Sequence, residues 1–334
     1  MCKFTIKKLI ERYPTILILI NKQKHNKKMT KVLVATEKPF AKAAVDGIRE
    51  IVEKAGFELA LLEKYTDVAD FYKAVEDVDA LIVRSDKVTK EVIDHAKNLK
   101  IVVRAGAGFD NLDLDACTNR GIVAMNTPGQ NSNAVAELAL GLMIYMARTN
   151  FTPVAGTELK GKRLGIHAYG NVGRLVAMKA KAMGMEIMAL DPFIPAEKIE
   201  ADGVKVAKDV NDLYSSCDYV SLHIPANDQT KNSINYELLS KMPKGACLVN
   251  TARKEVINEA DMAKLLAERE DFKYVTDIAA TNDEELKAFA PRYFSTPKKM
   301  GAQTKEANIN AGLAAARQIV DFIVNGVTKF QVNK

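Results

Sequence analysis

The chain has 334 residues, 48% of them apolar and 27% charged. That length predicts about two domains, and the composition excludes a largely disordered chain, a collagen and a multi-pass membrane protein. The net charge of +6 is concentrated at the start: residues 1–28 carry eight Lys or Arg against Glu11 alone, so residues 29–334 come to −1, which excludes a nucleic-acid surface built on bulk charge.

Residues 1–28 place a short apolar run, 15–20, between lysines. The run is too short for a membrane span, and no small-x-small cleavage site follows it as a secretory leader requires. The segment reads as a disordered extension ahead of a working start at Met29. The four cysteines (Cys2, Cys117, Cys217, Cys247) are scattered without a CxxC pair. No disulfide framework or metal site is expected, and a reducing, cytoplasmic location fits.

From Lys31 onward, strand-like and helix-like runs alternate. Strands are expected at 31–35, 57–62, 80–84, 101–104 and 122–125. Helical spacing occupies 41–54, 67–76 and 89–96. Alternation of this kind predicts βαβ units and a parallel sheet. Residues 131–148 follow, opened by Asn131, Ser132 and Asn133 as cap candidates. The body of this helix is apolar nearly all round, so it must be buried on nearly every side. It is either sandwiched between domains or subunits, or a plain core helix. A second series places strands at 163–166, 186–190, 219–223, 246–250 and 274–277, and a last helix at 305–324. A lone helix after two α/β series predicts a return to the first unit, making that domain discontinuous.

The segment 163–174 runs from a strand into a helix and reads A-x-G-x-x-G, with Ala168 where the usual fingerprint has its first Gly. Gly170 lets the backbone approach a pyrophosphate, and Gly173 lets the helix pack close on the strand. The helix N–H groups and the positive end of its dipole bind phosphate. Asp191 ends the next strand at the right spacing to accept ribose hydroxyl bonds and repel a 2′-phosphate, which favours NAD over NADP.

These blocks, together with Val83–Thr89, Val103–Asn111, Met125–Pro128, Gly156–Lys162, His223–Pro225, Val249–Arg253 and Met300–Ala307, resemble the D-2-hydroxyacid dehydrogenases, and among them the phosphoglycerate-oxidising branch. The likeness covers about residues 30–325. It implies an α/β fold of two domains: a Rossmann-type doubly wound NAD domain at 128–302, and a flavodoxin-like, discontinuous substrate domain at 29–127 and 303–334. It also implies a homodimer through the cofactor domain. The cofactor residues it implies are Ala168, Gly170, Asn171, Val172, Gly173, Asp191, Pro192, His223, Ile224, Pro225, Thr230, Asn250, Thr251, Ala252, Asp277, Gly301 and Ala302.

The family reaction moves a hydride between C2 of a 2-hydroxy acid and a nicotinamide ring. A cation must hold the carboxylate, and a proton carrier must serve the C2 oxygen. Arg253 matches the family arginine, whose planar fork suits a carboxylate. The family's Pro-His-x-Gly-Ala is replaced here by Thr296-Pro-Lys-Lys-Met-Gly-Ala302, and none of the four histidines lies in it. Lys299 stands at the histidine position, with Lys298 as the alternative. Partial desolvation beside Arg253 and a positive ring disfavours a charged lysine, which makes Lys299 a workable base. Asn282 stands where the family has Glu, with Asp283 and Glu284 adjacent; Asp283 is taken as the carboxylate partner.

For the substrate, Arg84, Lys87 and Arg104 at strand ends suit a phosphate and a carboxylate, with the backbone of Ala105, Gly106, Ala107 and Gly108 facing the latter. The resemblance implies NAD-dependent oxidation of D-3-phosphoglycerate to 3-phosphohydroxypyruvate, which opens L-serine synthesis. The alternatives are a reductase of hydroxypyruvate or glyoxylate, or a non-enzymatic NAD-sensing scaffold. Long relatives carry a C-terminal serine-sensing domain; the chain resembles the short type, so such feedback is not expected.

Overall fold

The computed structural model describes residues 29–333, so the reading of the first 28 residues lies outside the described part. The chain divides into two compact units. Among the described residues, one takes 29–105, Phe109–Asn126 and 312–333; the other takes Gly106–Gly108 and Thr127–Ala311.

The first unit runs β1 (Lys31–Thr36), α1 (Lys42–Lys54), β2 (Glu58–Glu63), α2 (Val68–Val75), β3 (Ala80–Val83), α3 (Lys90–His95), β4 (Ile101–Arg104), α4 (Leu114–Asn119) and β5 (Val123–Asn126). All five strands are parallel, in the order β2-β1-β3-β4-β5, which is the flavodoxin-like order. The central strand β3 is buried throughout, as a strand covered by helices on both faces must be. Helix α1 turns Ala44, Ile48 and Val52 to the core, one residue every four. Helices α2 and α4 start where Asp67 and Asp113 accept bonds from the backbone N–H of Ala69 and Ala116. The tail closes the free edge of β5. Val332 N–H donates to Ala124 O at 2.8 Å, and the buried Asn333 side chain bonds both Ala124 N and Ile122 O.

The second unit runs α5 (Ser132–Ala147), β6 (Arg163–His167), α6 (Asn171–Ala182), β7 (Glu186–Leu190), α7 (Ala196–Ala201), β8 (Lys205–Val206), α8 (Val210–Ser216), β9 (Tyr219–Leu222), α9 (Tyr236–Ser240), β10 (Cys247–Asn250), α10 (Glu259–Glu268), β11 (Lys273–Thr276), α11 (Asp283–Lys287) and β12 (Tyr293–Ser295); α12 (Lys305–Asn325) follows. Its seven parallel strands lie in the order β12-β11-β10-β9-β6-β7-β8, the doubly wound order with its switch between β6 and β9. Strands β8 and β12 are two and three residues long, too short to leave an alternation in the sequence. Helix α5 is a core helix of this unit: Ala136, Ala139, Leu140, Met143 and Met146 are buried, and only Asn133, Glu137 and Gly141 form an exposed stripe. No helix among the described residues is long and apolar enough to cross a membrane. Nor do three His, Cys, Asp or Glu gather among them where they could hold a metal ion.

Candidate active site

Register sets the ends of β6, β7, β9, β10, β11 and β12 level. His167 lies beside Leu190 and Leu222, Asn250 beside Leu222 and Thr276, and Thr276 beside Ser295. The loops that leave these carboxyl ends carry almost every cofactor and catalytic residue expected from the sequence. In open parallel sheets this is where ligands bind.

The turn from β6 into α6 holds Ala168 at φ 81°, left-handed backbone that glycine adopts far more readily than alanine. A side chain at Gly173 would strike the Ala168 carbonyl oxygen and lie 2.9 Å from Ile166 Cγ2, whereas one at Gly170 would meet open space. Close packing is thus needed at one glycine, and room beside the backbone is left at the other. Helix α6 has no side-chain cap, so the first-turn N–H groups of Asn171, Val172 and Gly173 suit an anion. Asp191 binds the turn from the next strand: its Oδ2 accepts from Tyr169 N at 2.7 Å and its Oδ1 from Phe193 N at 2.8 Å. Pro192 lies between them. Past β9, Ile224 is buried and Thr230 donates to the Pro225 carbonyl at 2.6 Å, closing that loop. His223 Nε2 and Thr251 Oγ1 are buried without a hydrogen-bond partner, as groups reserved for a ligand would be. The geometry fits a dinucleotide.

Burial holds the imidazoles of His167 and His223 in their neutral forms. His167 is pushed down to about 4, against a weaker opposing pull from Asp191. His223 is pushed down to about 3, with His167 adding to the effect. The His167 ring nitrogen Nδ1 is 3.1 Å from the hydroxyl of the fully buried Tyr214.

Arg253 is shaped by Asn250, which is fully buried. Its Nδ2 donates to Arg253 O at 2.9 Å and its Oδ1 accepts from Ala252 N at 3.0 Å. The Arg253 guanidinium donates to Ala252 O at 2.9 Å, and Lys299 Nζ reaches the same oxygen at 3.4 Å. The two cations singled out from distant blocks therefore meet at one carbonyl. Lys298 differs: its carbonyl, with that of Asp277, lies 2.8 Å from the Thr296 hydroxyl. Asp277, buried at 0% exposure, accepts from Met300 N at 2.7 Å and Gly301 N at 2.8 Å; Ala302 follows, half-buried.

Asp283 is not brought to this pair by its bonds. Its carboxylate accepts from Tyr293 OH at 2.6 Å and Ser295 Oγ at 2.7 Å, and pairs with Lys287 at 2.8 Å. Burial alone would raise its pKa, but those three partners outweigh burial and the net shift is downward. Asn282 Nδ2 donates to Glu285 at 2.9 Å, while its buried Oδ1 has no partner.

In the first unit, Arg84 follows β3 half-buried. Its Nη1 donates to the carbonyls of Lys38 at 2.8 Å and Pro39 at 3.1 Å, and its guanidinium lies 5.1 Å from the Phe40 ring centre. Burial lowers its pKa, against Asp86. Arg104 Nε donates to Arg84 O at 3.0 Å, and Lys87 is exposed. Ala105 is buried in this unit, whereas Gly106, Ala107 and Gly108 group with the second.

Sequence reasoning missed Asp86, which is buried and binds Glu37 N, Tyr65 OH and Arg84 N. It also missed Asn111, which donates to the carbonyls of Arg84 and Asp86, and Thr296. Asp86 and Asn111 stood inside quoted blocks, but nothing in their spacing announces a partner.

Residues 141–297 match the family described as D-isomer specific 2-hydroxyacid dehydrogenase, NAD binding domain. The chain is 37% identical over 269 residues to D-3-phosphoglycerate dehydrogenase of Methanocaldococcus jannaschii, covering 75% of this chain and 51% of that protein. It is 34% identical over 280 residues to hydroxypyruvate reductase of Thermotoga maritima, covering 78% of this chain and 90% of that protein. Among solved structures, the NAD+-bound 3-phosphoglycerate dehydrogenase of Entamoeba histolytica matches with a TM-score of 0.81 at 49% identity, over 92% of this chain and 99% of that one. The chain spans about half the length of several curated relatives that it matches. It belongs to the D-isomer specific 2-hydroxyacid dehydrogenases, and its second unit holds their NAD-binding domain.

Proposed function

We propose that this D-isomer specific 2-hydroxyacid dehydrogenase interconverts D-3-phosphoglycerate and 3-phosphohydroxypyruvate with NAD, the step that opens L-serine synthesis. The observation that carries the reading is the meeting of Arg253 and Lys299 at the Ala252 carbonyl, on the same strand-end edge as the glycine turn. Arg253 holds the substrate carboxylate as a fork and polarises the C2 oxygen. Lys299, exposed at its segment's surface, takes the C2 hydroxyl proton when deprotonated, as the C2 hydrogen leaves as hydride. NAD, when bound, supplies the hydride acceptor. The turn 168–173 would hold its pyrophosphate and Asp191 its ribose, and the buried, unpartnered His223 Nε2 and Thr251 Oγ1 would be available to it.

Lys299 is preferred to Lys298 because its Nζ reaches the Arg253 corner. A lysine base needs no carboxylate partner, since a negative neighbour would favour its charged form; the engagement of Asp283 elsewhere agrees with that. Arg84, Lys87 and Arg104 are assigned to the phosphorylated substrate, with the backbone 105–108 beside its carboxylate. The names of the Methanocaldococcus and Entamoeba proteins support the phosphorylated acid. A homodimer through the second unit, testable by sedimentation, and a reducing cytoplasmic location, suited to the buried free thiols of Cys117, Cys217 and Cys247, complete the reading.

A second reading, a hydroxypyruvate or glyoxylate reductase, draws on the name of the Thermotoga protein and on the bonds that commit Arg84 to Lys38 and Pro39. The test is NADH oxidation with 3-phosphohydroxypyruvate, hydroxypyruvate and glyoxylate, for wild type and Lys299→Ala. The expected result is preference for the phosphorylated keto acid and a loss of about 100-fold or more in kcat for the variant. Preference for hydroxypyruvate would select the second reading. NADH binding with no turnover of any keto acid would leave a scaffold that senses NAD.

A further inference from the structure

We infer that Asp277 is a positioning residue for the segment that carries Lys299, and so for the proton transfer; this rests on the reading of Lys299 as the acid/base. Asp277 follows β11 and is fully buried. A buried carboxylate must be answered by hydrogen bonds, and those it accepts are strong. Its bonds come from a single stretch of chain. Oδ1 accepts from Met300 N at 2.7 Å and Oδ2 from Gly301 N at 2.8 Å, and the Thr296 hydroxyl lies 3.2 Å from Oδ1. Thr296 Oγ1 also lies 2.8 Å from the Asp277 carbonyl. The segment 296–301 is thus held to Asp277 by two backbone bonds just after Lys299, at Met300 and Gly301, while at its start the Thr296 hydroxyl proton is shared between the Asp277 and Lys298 carbonyls.

The other end of the argument is the main chain. Asp277 N–H donates to Asn250 O at 2.9 Å, and Asn250 is the residue that shapes the Ala252–Arg253 turn. One corner of the sheet, where β10 and β11 end together, therefore sets the positions of both the arginine and the lysine. Gly301 belongs to the same device: a Cβ there would lie 2.9 Å from Asp277 Oδ2 and 3.2 Å from Val135 Cγ2, too close for the N–H to seat. Lys299 itself is exposed at the end of a long flexible side chain. Its backbone anchor decides where the amine can reach, and a misplacement of about 1 Å costs about 100-fold in rate.

The test compares Asp277→Asn and Gly301→Ala, each in the wild-type and Lys299→Ala backgrounds. Three quantities are read: kcat with 3-phosphohydroxypyruvate, NADH affinity by fluorescence titration, and amide exchange at Met300 and Gly301. Asparagine keeps the shape but turns an NH2 towards one of the two N–H donors. The expected result in the wild-type background is a kcat loss of about 100-fold at saturating NADH. Exchange at Met300 and Gly301 should accelerate, and no further loss should follow when Lys299 is already Ala. Equal fold losses in both backgrounds, unchanged exchange, or lost NADH affinity with kcat retained would each overturn the inference. A Lys299→Ala enzyme that turns over at the wild-type rate would instead sink the acid/base reading itself, so the two failures are distinguishable. Should Asp277→Asn not fold, Gly301→Ala carries the same expectations.

Discussion

The first turn of each sheet poses the same problem and answers it differently. After β1 the chain runs Thr36-Glu37-Lys38-Pro39, and Asp86 accepts Glu37 N at 2.7 Å. After β6 it runs Ala168-Tyr169-Gly170, and Asp191 accepts Tyr169 N at 2.7 Å. In both, an aspartate beyond another strand pins a turn N–H. In the first unit the Lys38 and Pro39 carbonyls then both accept from Arg84 Nη1, and no glycine leaves room beside the backbone. In the second, Gly170 leaves that room and Gly173 lets α6 sit close. The contrast teaches that a doubly wound sheet is not itself a dinucleotide site: neither α1 nor α6 has a side-chain cap, and what differs is the pair of small residues in the second turn.

The buried aspartates sharpen the contrast. Asp86 gathers donors from separate elements (Glu37, Tyr65 and Arg84), so it fastens a wall. Asp277 gathers them from one segment, so it seats a loop. Asp86→Ala leaves buried donors unpaired and should cost about 3 kcal/mol of stability, read by urea denaturation, with NADH affinity unchanged. Weakened NADH binding in that variant would end the separation of roles.

Acid offers a second way to break the symmetry. His167 and His223 are neutral in the fold, with pKa values of about 4 and about 3 against an ordinary 6.5. The unfolded chain takes up protons below 6.5 and the folded chain does not. Stability should therefore be level above that pH and fall below it by about 1 kcal/mol per pH unit per histidine down to pH about 4. In the first unit, His95 is exposed and stacked on Tyr72. Hydrogen exchange between pH 7 and 4.5 should then show the second unit opening first, and simultaneous opening would refute the assignment of the effect to these histidines.

The smallest expected effect is at Ala168. Ala168→Gly relieves left-handed strain of about 1–2 kcal/mol while adding freedom to the unfolded chain. A net gain below about 1 kcal/mol should appear as a slightly higher Tm; a lower Tm would mean that the alanine methyl packs better than the strain costs.

By itself the sequence determined the class of fold, because parallel strands buried on both faces must be apolar and must alternate with helices. It also marked the glycine turn, Asp191, Arg253 and Lys299, because those residues stand in ordered blocks whose chemistry is local. It did not reveal β8 and β12, which are too short to carry a pattern, nor the tail along β5, whose Asn333 finds its partners some two hundred residues away. It also offered Asp283 as a carboxylate partner, and side-chain packing gave that group to Tyr293, Ser295 and Lys287 instead. Only the tertiary structure decided that Arg253 and Lys299 share one carbonyl and that Asp277 holds the segment between Thr296 and Gly301. Those are contacts between residues far apart in the chain, set by which strand lies beside which and how far each extends. No local spacing encodes that register.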